Sequence, residues 1–275
     1  MKKYFLLPVI LIAAILFGCT AAPEAEVTDP APIQTEPETQ APTEALIDNQ
    51  QALEIALQSS GLVALDASIE LTTHVVLSND VILDGCDFTL TAPTYTEGQP
   101  NTENAVTMRS GRLKNITIQG GYRCLGDNGG GSQTGTVRLE NVTVDGPTYA
   151  LNFGHGNFTG KLIADDSKFY GWSSYTGFAE VAFTGCTFGW DSTGSNGNLR
   201  PYVDTVLIGC HFEGKTAEDG TLEPFGIVLK ENITGITISM EDCYVGDTLI
   251  TEENVEELLN IKLFDNTLYI SNSEG

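Results

Sequence analysis

Basic side chains are scarce in this chain. Thirteen lysines and arginines face 37 aspartates and glutamates, and the formal net charge is −24 over 275 residues. A surface of that sign repels phosphate backbones and anionic bilayers alike, so neither nucleic acid nor electrostatic docking to a membrane is expected. It attracts cations, calcium among them, although a solubilising surface explains the same charge without any cofactor. No C-x2-C spacing offers a zinc site. Neither a nucleophile triad nor a glycine-rich phosphate cradle can be read along the chain.

Repetition is what the chain does have. VAFTGCTFGW (181–190) and TVLIGCHFEG (205–214) spell one ten-residue phrase, with apolar or small residues at places 1, 3, 6 and 8 and a Gly, Asn or Asp at place 5. The phrase recurs at 81–90, 111–120, 137–146, 162–171 and 238–247, and in its weakest form at 261–270, the starts lying 19 to 33 residues apart. Places 1 and 3 alternate as a strand does. Place 5 reads Gly85, Asn115, Asn141, Asp166, Gly185, Gly209, Asp242 and Asp265. These residue types tolerate positive φ, so a one-residue bend there resets the inward phase. Two short strands joined by a bend, restarted about every 25 residues, describe a chain wound round a core in which each repeat covers the next.

Over residues 62–271 this pattern resembles the right-handed parallel β-helices of the pectate-lyase-like class. The resemblance implies an all-β solenoid in which the Asn/Asp/Gly column forms the short turn between the second and third strands of each coil. The first strand then falls in the apolar runs before each phrase, such as 105–108, 149–153 and 225–230. Ligand grooves of that class run along the first strand and the long loops after the third, here 120–133, 171–177, 189–198 and 213–223. The architecture hosts many functions, so the resemblance implies little about activity.

The flanks read differently. Residues 1–19, MKKYFLLPVILIAAILFGC, combine two lysines with an apolar run, as a secretory signal peptide does. LFGC (16–19) resembles the bacterial lipoprotein cleavage site, which would make Cys19 the lipidated first residue and anchor the protein to the outer face of the cell membrane. Phe17 departs from the smaller residue usual there; an uncleaved anchor, or ordinary secretion after cleavage near Ala22, is the alternative. Residues 20–46 carry Pro, Thr, Ala and six acidic residues without Lys or Arg, and are expected to form a disordered, extended tether. The β-helix domain spans 47–275 and begins with a helix over 48–60, capped by Asp48 with Gln51 as partner. Its stripe of Leu53, Ile55, Ala56 and Leu57 would close the first coil as a lid. A second helix is expected over 251–260.

Cys86, Cys186, Cys210 and Cys243 share place 6, an inward column, and are expected as buried free thiols. Strands about 4.8 Å apart hold stacked cysteines beyond the usual disulfide reach. Cys124, in a glycine-rich loop, is the thiol expected at the surface.

Trp172 and Trp190 both follow a third strand on successive coils, with Tyr175 and Tyr202 close by in sequence. Exposed together they would make a platform for sugar rings; the plainer reading packs them over loop bases. Arg200 either holds a ligand carboxylate or pairs with Asp191 or Asp204. GHG (154–156) is similar to the Gly-His-Gly of the polygalacturonases, which share this architecture, and makes His155 the one catalytic candidate. That family's aspartate pair precedes the histidine, whereas Asp165 and Asp166 follow it, and its Arg-x-Lys element is reduced to Lys230. Glycoside hydrolysis needs two carboxylates facing across the bond. A pectate lyase needs a carboxylate cluster for calcium beside a basic residue; Arg109, Arg123 and Lys230 lie near first strands without one, and Asp127 reads as a flexible loop residue.

The sequence therefore reads as a monomeric, lipid-anchored surface protein that binds a polysaccharide or other surface polymer without catalysis. Its candidate ligand-binding residues are Trp172, Tyr175, Trp190, Arg200, Tyr202 and His155. The rival is a polysaccharide lyase or glycoside hydrolase of the same class, and a third reading is a structural or adhesive spacer.

Overall fold

The phrases pair with one another, parallel and in register. In the computed structural model, which describes residues 46–59, 61–77, 80–94, 104–127, 132–133, 135–154 and 157–273, the strand Val81–Asp84 lies beside 111–114. That strand lies beside 137–140, and the file continues through 162–165, 181–184, 205–208 and 238–241. Equal places meet: Leu83 faces Leu113, Leu113 faces Leu139, and Leu139 faces Ala164. A slip of one residue would turn every such apolar set outward, which is why the register is so strictly kept.

The second halves of the phrases stack too, with 81–90 running two places late after its displaced bend. Leu90 lies on Ile118, then Val144, Phe169, Phe188, Phe212 and Val245 follow in one column. A third file lies outside the phrases and is also parallel throughout. It runs Asn104–Thr107, Arg123–Gly126, 149–153, 172–175, Asn198–Pro201, Gly226–Val228 and Asn260–Lys262. The described chain is thus all-β and mostly parallel, and the inward side chains of the three files form one apolar cluster within the compact unit Glu44–Gly275.

The bends fall where place 5 put them, with two exceptions. Asn115, Asn141, Asp166 and Asp242 have φ between 48° and 51°, and Gly185 and Gly209 stand at 61° and 59°. Successive bends are tied together: Asn141 donates to Asn115 Oδ1 at 3.0 Å, and Asn115 to Asp84 Oδ1 at 3.2 Å. A Cβ on Gly185 would come 2.5 Å from Asp166 Oδ1, so glycine there answers a close approach as well as a positive φ. In 81–90 the positive φ falls on Cys86 and Asp87 instead of Gly85. Gly85 is pressed against Ile116, whose Cβ lies 2.4 Å from where a side chain would begin, and the bend moves on by one. Near the end, Phe264 takes the positive φ in place of Asp265. The weak phrase 261–270 is out of register, because Ile238 partners Leu268, and 260–262 belongs to the third file.

Several local expectations are corrected. The first helix, α1, spans Gln50–Ala56 and is capped by Asn49, whose Oδ1 accepts from the Ala52 N–H at 3.0 Å. Gln50, not Gln51, reaches outward, accepting from the Thr72 N–H at 2.7 Å. Leu53 and Leu57 share a face and are buried, while Ile55, two places on from Leu53, points to solvent. The second helix, α2, is a single turn, Val255–Leu258. Cys186, Cys210 and Cys243 are buried free thiols, but Cys86 is exposed and Cys124 is fully buried, the reverse of expectation. The displaced bend turns Cys86 out. Cys124 is an inward residue of a third-file strand, and its thiol donates to the Ile118 carbonyl at 3.2 Å.

Candidate functional site

The aromatic and cationic candidates gather on the outward side of the third file. Strand parity decides which of them can. Along 172–175 burial alternates, with Trp172 and Ser174 outward and Ser173 and Tyr175 inward; along Asn198–Pro201, Asn198 and Arg200 are outward. Tyr175 therefore belongs to the core, fully buried, its hydroxyl 3.1 Å from Thr205 Oγ1, and burial pushes its phenol far above the usual range. It is not a platform residue. Three places from Trp172 puts it on the opposite face.

Trp172 stands in register with Tyr149 on one side and Asn198 on the other. The rings of Tyr122, Tyr149 and Trp172 meet edge to face, 6.0 Å apart at 73° and 5.3 Å apart at 85°. Arg200 lies over the last of them, its Cζ 4.5 Å from the Trp172 ring centroid. Neither carboxylate expected to pair with Arg200 does so. Asp191 is engaged by Thr193 Oγ1 at 2.6 Å, the Ser195 N–H at 2.9 Å and Asn196 Nδ2 at 3.1 Å. Asp204 accepts from the Thr237 N–H at 2.7 Å.

Tyr202 follows on the same strand end, its N–H bonded to the Tyr175 carbonyl at 3.0 Å, with Lys230 Nζ 5.7 Å from its ring centroid. Arg123 enters from the neighbouring strand, in register with Tyr149. The Tyr149 phenol shows how closely these groups converge. Burial and then Tyr122 push its pKa up, while Arg200, Arg123 and Lys230 all pull against them.

Trp190 is positioned by a different element. It follows the strand Thr187–Gly189 and packs beneath the loop 191–197, where a Cβ on Gly197 would lie 2.7 Å from the indole. Lys215 Nζ stands 5.2 Å from its ring centroid, and the indole N–H is buried without a hydrogen-bond partner among the described residues. Ser192 N–H to Asp145 at 3.0 Å and Asn196 Nδ2 to the Pro147 carbonyl at 2.8 Å tie the loop down. For Trp190 the loop-packing role fits, and Tyr149 takes the place beside Trp172 that Trp190 was expected to hold.

His155 lies outside the described residues, as do Cys19 and the segment 20–45 of the tether. Its neighbour Gly154 donates its N–H to Asp127 Oδ1 at 3.0 Å, and Asp127 is buried, which corrects the reading of it as a flexible loop residue. Asp165 is bonded by Arg138 at 3.0 Å on the phrase side, and Asp166 occupies a bend, so neither faces the third file. Among the described residues no three His, Cys, Asp or Glu side chains are grouped to hold a metal ion.

Sequence reasoning missed Tyr122 and Tyr149. The signal was present: Tyr122, Tyr149 and Trp172 are 27 and 23 residues apart, close to the phrase spacing. No protein-family model matches the chain, and neither a curated protein nor a solved structure matches it.

Proposed function

We propose that the chain is a right-handed parallel β-helix whose third file binds an extended glycan, or a comparable surface polymer, without catalysis. In-register parallel pairing in three files and the column of left-handed bends support the architecture, and parallel crossovers are almost always right-handed. One observation carries the function: Tyr122, Tyr149 and Trp172 come from successive repeats and make a continuous aromatic line. A linear polymer repeats along its length, and so does this line, with strands about 4.8 Å apart. Aromatic surfaces bind the C–H-rich faces of sugars while polar neighbours fix orientation. Lipidation of Cys19 and the acidic tether would hold this surface outside the cell membrane.

The test uses the full chain in detergent, titrated with a panel of charged and neutral glycans. Trp172→Ala and Tyr149→Ala are expected each to weaken binding about ten-fold. Unchanged affinity of both variants for every glycan bound by the parent removes the platform. One observation favours a hydrolase as second reading: buried Asp127 holds Gly154, the residue before His155. New reducing ends or unsaturated products, abolished by His155→Ala, would replace binding with turnover.

A further inference from the structure

Cations are treated unequally on this molecule. Lys114 pairs with Asp84, Arg112 and Arg138 with Glu140, Arg138 also with Asp165, Lys161 with Glu180 and Lys215 with Glu223. Lys168 and Lys262 pair with no carboxylate among the described residues, and neither do Arg200 and Lys230, although the chain carries 37 acidic side chains; what sets Arg200 and Lys230 apart is the rings beside them. These two lie over Trp172 and Tyr202. A net charge of −24 repels anionic polymers at long range, so a strip that accepts one must present its cations uncompensated by neighbouring acids.

We propose that Arg200 and Lys230 form an anion subsite on the aromatic line, so that the bound polymer carries carboxylate, sulfate or phosphate groups held directly by these side chains, without a bridging calcium ion. This rests on the polymer-binding reading above and names the ligand's charge. A guanidinium presents a fixed fork of N–H donors that matches an oxyanion two bonds at a time. Held against the Trp172 ring it is already oriented, so little side-chain freedom remains to be lost on binding. Lys230 is exposed and contributes a mobile point charge. Direct contact needs no metal-holding group of side chains, and none is formed among the described residues.

The full chain in detergent, with EDTA present, is titrated with alginate, dextran sulfate and polyphosphate, which separate the three anions, and with neutral dextran. At least one anionic polymer is expected to bind at least about ten-fold tighter than dextran. Lys230→Gln and Arg200→Gln are each expected to weaken that binding about ten-fold, and Arg200→Lys to restore part of it. Lys230→Gln alters an exposed side chain, so an unchanged melting curve will separate lost binding from lost folding. Dextran binding as tightly as the anionic polymers, indifferent to both substitutions, overturns the anion subsite and leaves the polymer-binding reading standing. Binding that appears only when calcium replaces EDTA overturns the direct contact. Failure of all four polymers to bind overturns the proposal together with the reading beneath it.

Discussion

The outward sides of the phrase strands and of the third file share one parallel register but treat charge differently. On the phrase side, Asp84, Lys114, Glu140 and Asp165 form one column, and Arg112 and Arg138 stand in the next. Two arginines directly opposite would repel at this spacing, and Glu140 between them removes the conflict by pairing with both. Lys114–Asp84, Arg112–Glu140 and Arg138–Asp165 each join neighbouring repeats, so the ladder braces the stack. Beside the third file, Arg200 and Lys230 meet rings in place of acids. Equal backbone geometry therefore gives a ladder of paired charges on one side and, on the other, two cations set against rings.

Substitutions can break or sharpen that contrast. The largest effect is expected from Trp172→Ala combined with Arg200→Gln, about a hundred-fold loss of polymer affinity, against no change for Arg112→Gln combined with Arg138→Gln. Titration of both double variants beside the parent checks it, and equal losses would erase the distinction between the faces. Next comes the bend that keeps the phrase side in register. Gly185→Ala meets both an unfavourable φ and Asp166, and is expected to cost about 2 kcal/mol in urea unfolding. Gly209→Ala meets open space and is expected to cost about 1 kcal/mol.

Smaller still is the ladder itself. Its ion pairs are partly exposed, so Arg138→Gln is expected to cost less than about 1 kcal/mol, and less again in 1 M salt, read from paired denaturation curves. The smallest effect is acid-dependent. Burial pushes the Asp84 carboxyl up, but Lys114, the Cys86 N–H and Asn115 together bring it below its ordinary value. The stability it adds is complete above the unfolded value, about 3.9, and is lost as pH falls through the lower folded one. The stability difference between parent and Asp84→Asn should therefore shrink from about pH 4 to pH 2.

How much the sequence disclosed follows from where each signal sits. From 81 to 238 the phrase predicts the strand register directly, because places 1, 3 and 5 are fixed offsets within one short unit. It fails at 261–270, where two alternating apolar runs compete and only the later one continues the file. The third file has no such fixed offset, since loops of variable length precede each of its strands. Register shifts between Asp145 and Leu151 further disturb parity there, which hid Tyr149 among the residues of its run. Tyr175 was misjudged by counting nearness in sequence instead of strand parity. Asp191 does not pair with Arg200 because its own loop engages it, and Asp204 does not because it accepts from Thr237 on the next repeat, a competition that only geometry reveals.

Hydrogen bonding with Cys186, joined by burial, pushes the Cys210 thiol up to about 12, and Cys243 and Cys124 are raised as well. Held protonated and out of reach, these groups cannot begin thiol–disulfide exchange while the chain is folded, even in an oxidising medium. Heat or denaturant removes that protection all at once, and scrambled cross-links then trap the unfolded chain, so in such a medium these three thiols stay intact only while the chain stays closed.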